Sequence, residues 1–409
     1  MNEIQAKNEK SRHLQMVLYL VCVFVYWAGM YFYVPTLSVY VEDVTRDLSV
    51  VGVVISMYGL WQAVARYPLG IISDSLGTRK PFIIVGLLLS AVGAYVMMTA
   101  TDATGLIIGR GITGLAAATW VLLMVGFSSL LPPDKAVQAT AILNMVNSAG
   151  RTISTGVNGV LNQLGGYSLA FKLAIGASIL SALIFLPVHD TALKPRKTSL
   201  KAIGKLTMRP DVLIPSLVAA VIQIAAYAAV FGFLPIIARN FGANDNQISL
   251  MSMLNIIVGV GGNLVISMII KRTGTKPVLL VGVTLIGISM ALIAMAHSLW
   301  MLFASTMILG LGWVSISTLT GLSIRYVREE ERSTAMGLHQ SIYGFGMFFG
   351  PYIAGYLAEL MGVQSMFWVL LGVVLLGGYV GTFMIERMEK KMALQEAETT
   401  LAQKITAGV

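Results

Sequence analysis

Twelve long, predominantly apolar runs dominate this chain. They cover residues 14–41, 48–73, 81–101, 104–131, 136–164 and 166–187, then, beyond a polar gap, 211–238, 247–270, 277–297, 299–324, 333–361 and 364–385. Each is long enough for a helix rising ~1.5 Å per residue to cross a hydrocarbon core about 30 Å thick, and a helix satisfies its own backbone polar groups in lipid. A chain that is 56% hydrophobic and 11% charged is too oily to cover a soluble core with polar groups. The expectation is an all-α membrane protein with twelve transmembrane helices.

Lysine and arginine orient those helices. Placing the N-terminus, the loops after even-numbered spans and the C-terminal tail on one side puts 22 of the 28 Lys and Arg there. Arg46 and Arg239 fall in loops on the other side, and Arg66, Arg110, Arg151 and Lys172 fall inside spans. Basic loops mark the cytoplasm, so both termini are expected there, in a multi-pass protein of the cell (inner) membrane. The +9 net charge is then mostly a topology signal, and no nucleic-acid partner is expected. The first run is too long for a cleavable signal and lacks a small-residue cleavage site, so it reads as the first span. The single Cys22 supports neither a disulfide framework nor a metal cluster. No cofactor or metal is expected.

The runs divide the chain into a tail over 1–13, a six-helix bundle over 14–187, a basic linker over 188–210, a second bundle over 211–385 and a tail over 386–409. The linker, HDTALKPRKTSLKAIGKLTMRP from His189, reads as surface-lying; the last tail reads as a short amphipathic helix or as unordered chain. Shifting the sequence by about 196 residues brings GTRKPFIIVG at Gly77 onto GTKPVLLVG at Gly274, and VNGVL at Val157 onto IAGYL at Ile353. Weak similarity between parallel halves suits a transporter with its site at the midplane between them.

GIISDSLGTRKP, from Gly70, resembles the loop between the second and third spans of the major facilitator superfamily. That pattern is glycine, three residues, aspartate, two residues, glycine, then basic residues, and Gly70, Asp74, Gly77, Arg79 and Lys80 match it. Ser75 and Thr78 depart from it, standing where many members carry further basic residues. RGITGLAAA, from Arg110, resembles the family's fourth-span pattern of an arginine, a glycine four residues on, and small residues. With the repeat and the linker, the likeness covers nearly the whole chain. It implies the superfamily's fold, twelve transmembrane helices in two pseudo-symmetric six-helix bundles, working by alternating access, and a monomer is expected. In physical terms Gly70 permits close helix approach, Gly77 a tight turn, and Asp74 pairs with Arg79 or caps a neighbouring helix. Such a gating cluster would latch one state of the carrier, Asp74 being the only acid at that depth; the alternative is that Arg79 and Lys80 only obey the charge rule.

The fifth span carries the sharpest signal. Asn144, Asn147, Ser148, Arg151, Ser154, Thr155, Asn158 and Asn162 recur at steps of three and four and form one polar stripe. Arg151 stands 17 residues after Asp134 and 14 before Gly165, roughly 20–25 Å from each end. An arginine at that depth costs at least ~2.5 kcal/mol unless water, a partner or a ligand compensates, so the stripe is expected to line an aqueous cavity. Arg66 and Arg110 lie about 12 Å inside their spans. Three arginines with no matching carboxylate imply a positive cavity suited to an anionic group. For Arg66 a snorkelling side chain is the alternative, and for Arg110 a structural residue bonded to backbone carbonyls. In the family an arginine like Arg110 can take part in coupling.

The repeat maps Arg151 onto Met347, amid Tyr343, Phe345, Phe348 and Phe349. One cationic, amide-rich wall facing one apolar, aromatic wall suggests an amphipathic solute. Trp27 and Tyr31 share a helix face in the first span, and Tyr227, Asn255 and Gln223 add groups at cavity depth. No nucleotide-binding loop is present, and His339 is the proton-site candidate by elimination, a polar helix-end residue being its alternative. The expected function is therefore secondary-active transport of a small amphipathic organic anion, coupled to an ion such as the proton or run by exchange. Three alternatives stay open: a multidrug:proton efflux antiporter, a lipid flippase, and a non-transporting sensor on the same scaffold. Drug exporters often carry a Gly-Pro pair in the fifth span, whereas here Gly150 precedes Arg151 and the pair Gly350–Pro351 lies in the eleventh. An enzyme is not expected.

Overall fold

The computed structural model describes residues 2–132, 135–190, 204, 206–328 and 331–406. Most of the linker therefore lies outside the described residues, and its expected surface position with it. Among the described residues there are helices and turns and no strand. Ten helical stretches among the described residues are long and apolar enough to cross a membrane. One of them, Gln138–Phe185, breaks where Gly165 and Gly166 leave helical geometry and becomes the fifth and sixth spans. Arg332–Met361, 30 residues long but richer in glycine and polar groups, completes twelve as the eleventh span.

Helix ends follow local chemistry. Asp47 opens the second span by accepting from the Val50 N–H, Asp102 opens the fourth by accepting from Gly105, and Asn244 with Gln247 forms a reciprocal capping box on the eighth. Gly77 closes the second span at φ 68°, a left-handed conformation that favours glycine. The first span bends at the Val34–Thr36 turn around Pro35 and resumes as Leu37–Thr45. The last helix differs from expectation: Met366–Thr406 runs without interruption from the twelfth span into the tail. Its base is tied down by Lys276–Glu386 at 2.8 Å, Arg325–Glu389 at 3.0 Å and Thr275–Glu389.

Because successive spans alternate in direction, both chain ends share one face of the bundle, here the terminal face; the opposite one is the far face. The halves meet along two seams, the second span against the eleventh and the fifth against the eighth. On the first seam a side chain at Gly52 would strike the Pro351 carbonyl oxygen and Gly355 Cα at 2.9 Å, and one at Gly59 would lie 2.7 Å from the Met347 carbonyl carbon. On the second, Gly159 lies against the Asn246 backbone, Asn158 Oδ1 accepts from Ser249 at 3.0 Å across the seam and from Thr36 of its own half at 3.1 Å, and Asn162 donates to Asp245 at 2.8 Å. Towards the terminal face the approach relaxes. A Cβ at Gly337 would meet only a Tyr67 ring carbon, at 4.0 Å, and one at Gly70 nothing within 4 Å. The halves form a wedge, closed at the far face.

Candidate functional site

The wedge encloses a cavity of about 320 Å³ lined by both halves. The N-terminal half contributes Trp27, Tyr31, Tyr58, Gln62, Arg66, Trp120, Asn147, Arg151 and Thr155; the C-terminal half contributes Gln223, Tyr227, Phe231, Asn255, Trp313 and Tyr343. Two arginines line it, and among the described lining residues there is no Asp or Glu. The Arg151 guanidinium lies 4.4 Å from the Tyr31 ring centroid, and its Nε is buried without a partner. Cation–π contact contributes about 0.5–2 kcal/mol, less than the several kcal/mol that desolvating a charge costs, so the site retains unspent positive potential. Arg66, at the terminal-face end of the same wall, is 4% exposed, with Nε and Nη1 unpartnered.

Most residues singled out in the sequence converge here: Arg151, Asn147, Thr155, Trp27, Tyr31, Tyr227, Tyr343, Asn255 and Arg66 all line the cavity. The Asn255 amide is already engaged, donating to the Thr306 carbonyl at 2.9 Å and accepting from Trp313 Nε1 at 3.0 Å, so it shapes the wall. Three residues stand elsewhere. Asn158, expected to touch solute, has its whole amide in the far-face seam, its Nδ2 donating to the Phe32 carbonyl at 2.6 Å. Arg110 is 1% exposed and sits behind the wall, its guanidinium 4.4 Å from the Tyr58 centroid. His339 is fully buried between Ser216 Oγ at 3.0 Å and Thr320 Oγ1 at 3.1 Å, bonding the seventh, tenth and eleventh spans together.

Several wall residues had weaker sequence signals. Tyr58, Gln62 and Arg66 stand at steps of four on the second span, a pattern that places them on one face beside a buried charge. Phe231 lies in a π-helical turn, Ala228–Phe233, just before Pro235, whose missing N–H cannot bond the Phe231 carbonyl. Trp120 follows a helix break at Thr119, and Trp313 another between Gly312 and Val314; the sequence marks neither.

At the terminal face Arg79 pairs with Asp74 at 3.3 Å. The capping role, however, falls to Asp190, which follows the sixth span: it accepts from Thr78 Oγ1, from the Arg79 N–H at 3.0 Å and from the Lys80 N–H at 3.2 Å. Asp74 is thus not the only acid at this level. Thr78, one of the two positions departing from the family pattern, bonds that acid.

Comparison with known proteins agrees with this architecture. The model of the Major Facilitator Superfamily matches residues 19–236 and again 216–407, once per half. An uncharacterized MFS-type transporter of Methanocaldococcus jannaschii is 23% identical, the match covering 84% of this chain and 93% of that protein. The quinolone resistance protein NorA of Staphylococcus aureus is 21% identical, with 91% of this chain and 97% of NorA covered. Among solved structures, the nucleoside transporter NupG superposes with a TM-score of 0.74 at 17% identity, covering 90% of this chain and 99% of NupG.

Proposed function

This chain belongs to the major facilitator superfamily and is a membrane transporter rather than an enzyme, and from that premise we propose that it carries a small amphipathic organic anion by alternating access, with Arg151 as the charge the solute meets. The supporting observation is a central cavity whose described walls hold two arginines and no carboxylate. An anion there gains charge-assisted hydrogen bonds without displacing an internal counter-ion. The aromatic residues supply the apolar remainder of the contact. With the basic loops assigned to the cytoplasm, the open end of the wedge faces inward. The closed seams at the far face then form the barrier that rocking of the halves opens. Movement by ion coupling or exchange is the mode we assign, since ATP-driven transport would need a nucleotide-binding motif that this sequence does not carry.

Drug export is the second reading, favoured by the likeness to a quinolone resistance protein over nearly the full length of both chains. The two readings separate on charge. In thermal-shift titrations, small aromatic carboxylates are expected to stabilise the wild type, and Arg151→Gln to weaken their binding about tenfold or more. Organic cations are expected to do neither. Equal stabilisation of both proteins by anions would sink the role of Arg151, and strong stabilisation by unrelated cations would favour the drug exporter. Flux into proteoliposomes under imposed pH gradients then reports the coupling.

A further inference from the structure

Tyr58 in the second span and Tyr227 in the seventh belong to opposite halves. Their rings lie nearly parallel across the seam, 6.4 Å between centroids and 11° between planes. Stacked rings prefer centroid separations of about 4.5–7 Å, so this pair is at the loose end of direct contact. A guest ring touching both faces needs about 7–8 Å, two carbon–carbon contact distances. The distance between plates is at most the 6.4 Å between centroids, so a flat guest enters between them only as the halves part. Each is braced from its own half, Tyr58 by Arg110 at 4.4 Å and Tyr227 by Phe231, whose ring centroid is 4.6 Å away.

Each plate also has an amide one helical turn away. Gln62 follows Tyr58 by four residues and Gln223 precedes Tyr227 by four; because the two spans run in opposite directions, both amides lie on the terminal-face side of the rings, and all four side chains line the cavity. The amides are underused. Gln223 Oε1 is buried without a partner, and Gln62 Nε2 reaches the Tyr58 hydroxyl only at 3.4 Å. A buried amide oxygen without a donor is costly, and a donor on a bound molecule relieves that cost.

We propose that Tyr58 and Tyr227 form a sandwich subsite for a planar aromatic ring, with Gln62 and Gln223 hydrogen-bonding polar groups on its edge. The inference rests on the reading that Arg151 receives the anionic group, and it narrows the solute to a flat aromatic or heteroaromatic acid. The two plates belong to different halves, so the thickness of a guest held between them sets how far the halves stand apart at the site. A flat ring touches both plates at once; a puckered saturated ring is too thick to be gripped by both.

The test compares 2-naphthoate with trans-decahydro-2-naphthoate, which share charge and carbon skeleton, by calorimetric titration of the full-length protein in detergent. Area burial alone favours the saturated acid. The sandwich predicts the reverse, naphthoate binding about tenfold tighter or more. Tyr58→Leu and Tyr227→Leu bring the ratio near one, and Tyr58→Phe and Tyr227→Phe, which keep the ring, preserve it. 6-Hydroxy-2-naphthoate, with a donor on its edge, binds more tightly than 2-naphthoate to the wild type and equally well to Gln223→Leu. A ratio near one in the wild type, with both acids weakened by Arg151→Gln, overturns the sandwich and leaves the anion reading standing. A sandwich preference without the hydroxyl gain overturns the role of the amides. If neither acid binds the wild type, or if Arg151→Gln binds both as well as the wild type does, the anion reading fails and the sandwich with it.

Discussion

The two seams between the halves are equivalent under the internal repeat, yet they are built from different chemistry. Where the fifth span meets the eighth, side chains do the joining: Asn158 accepts from Ser249, Asn162 donates to Asp245, which also pairs with Arg239, and Thr36 of the first span holds the Asn158 amide in place. Where the second meets the eleventh, bare backbone touches backbone at Gly52, Gly59 and Gly355, and one side-chain bond, from the Leu48 N–H to Glu359 Oε1 at 2.8 Å, closes the far end. The difference teaches how a closed face stays reversible. Hydrogen bonds in a seam that meets water on opening are exchanged for water, so each contributes only about 0.5–1.5 kcal/mol to closure. Glycine contacts carry little directional energy but demand empty space, so they set how closely the halves can come.

A cavity cysteine makes the contrast measurable. Ser252 lines the cavity, so Ser252→Cys in a Cys22→Ser background should react with an impermeant maleimide from the far side only when the seams part. The largest effect is expected from Gly52→Leu. Its side chain would occupy the space of the Pro351 carbonyl and Gly355, where no flexible side-chain end can give way. Overpacking of this kind typically costs about 1–3 kcal/mol and here falls on the closed state alone. Far-side labelling should become fast and net transport should fall more than tenfold; unchanged labelling would mean that the glycine seam does not limit closure.

Asn158→Ala comes next. It removes the acceptor of the Ser249 hydrogen bond that crosses the seam, together with the Thr36 and Phe32 bonds that hold the amide in place within the N-terminal half, leaving buried groups unpaired at about 1–3 kcal/mol. Far-side labelling should rise five- to hundredfold, with ligand affinity changed far less, because Asn158 is not on the cavity wall. Loss of affinity without a change in labelling would return this residue to the solute site. The smallest effect belongs to Asp245→Asn. The Arg239–Asp245 pair is partly solvated, with the arginine side chain 38% exposed, and such pairs contribute about 0–1 kcal/mol. The asparagine still accepts from Asn162, so labelling should rise less than about fivefold, and the rise should shrink at high salt.

Arg151 shows how far sequence reasoning reaches into a site. Its depth, its polar stripe and the shortage of acids were all one-dimensional facts, and together they implied a wet, positive cavity. Trp27 and Tyr31 could be paired for the same reason, a spacing of four on one helix. Asn158 lies on the same stripe as Arg151, yet its amide closes a seam because periodicity names a face and not what that face meets along its length. His339 was an isolated polar residue in the sequence; two hydroxyls from distant spans complete its partners. Asp190 and Thr78 are 112 residues apart, so nothing local marks their bond.

By itself the sequence determined the spans, their alternating direction, the division into halves and the presence of a buried positive charge. Those properties follow from the cost of exposing backbone or charge to lipid, which acts on each segment separately. The tertiary structure decided which polar groups close a seam and which face the solute. It also decided that Tyr58 and Tyr227 lie nearly parallel across the seam and that Asp190 caps the third span. These outcomes depend on distances between residues far apart in the chain, set by how helices with little intrinsic preference for one another pack. Where the facing surfaces are glycine or paired polar side chains the halves close, and around Arg151 and Arg66 a cavity remains.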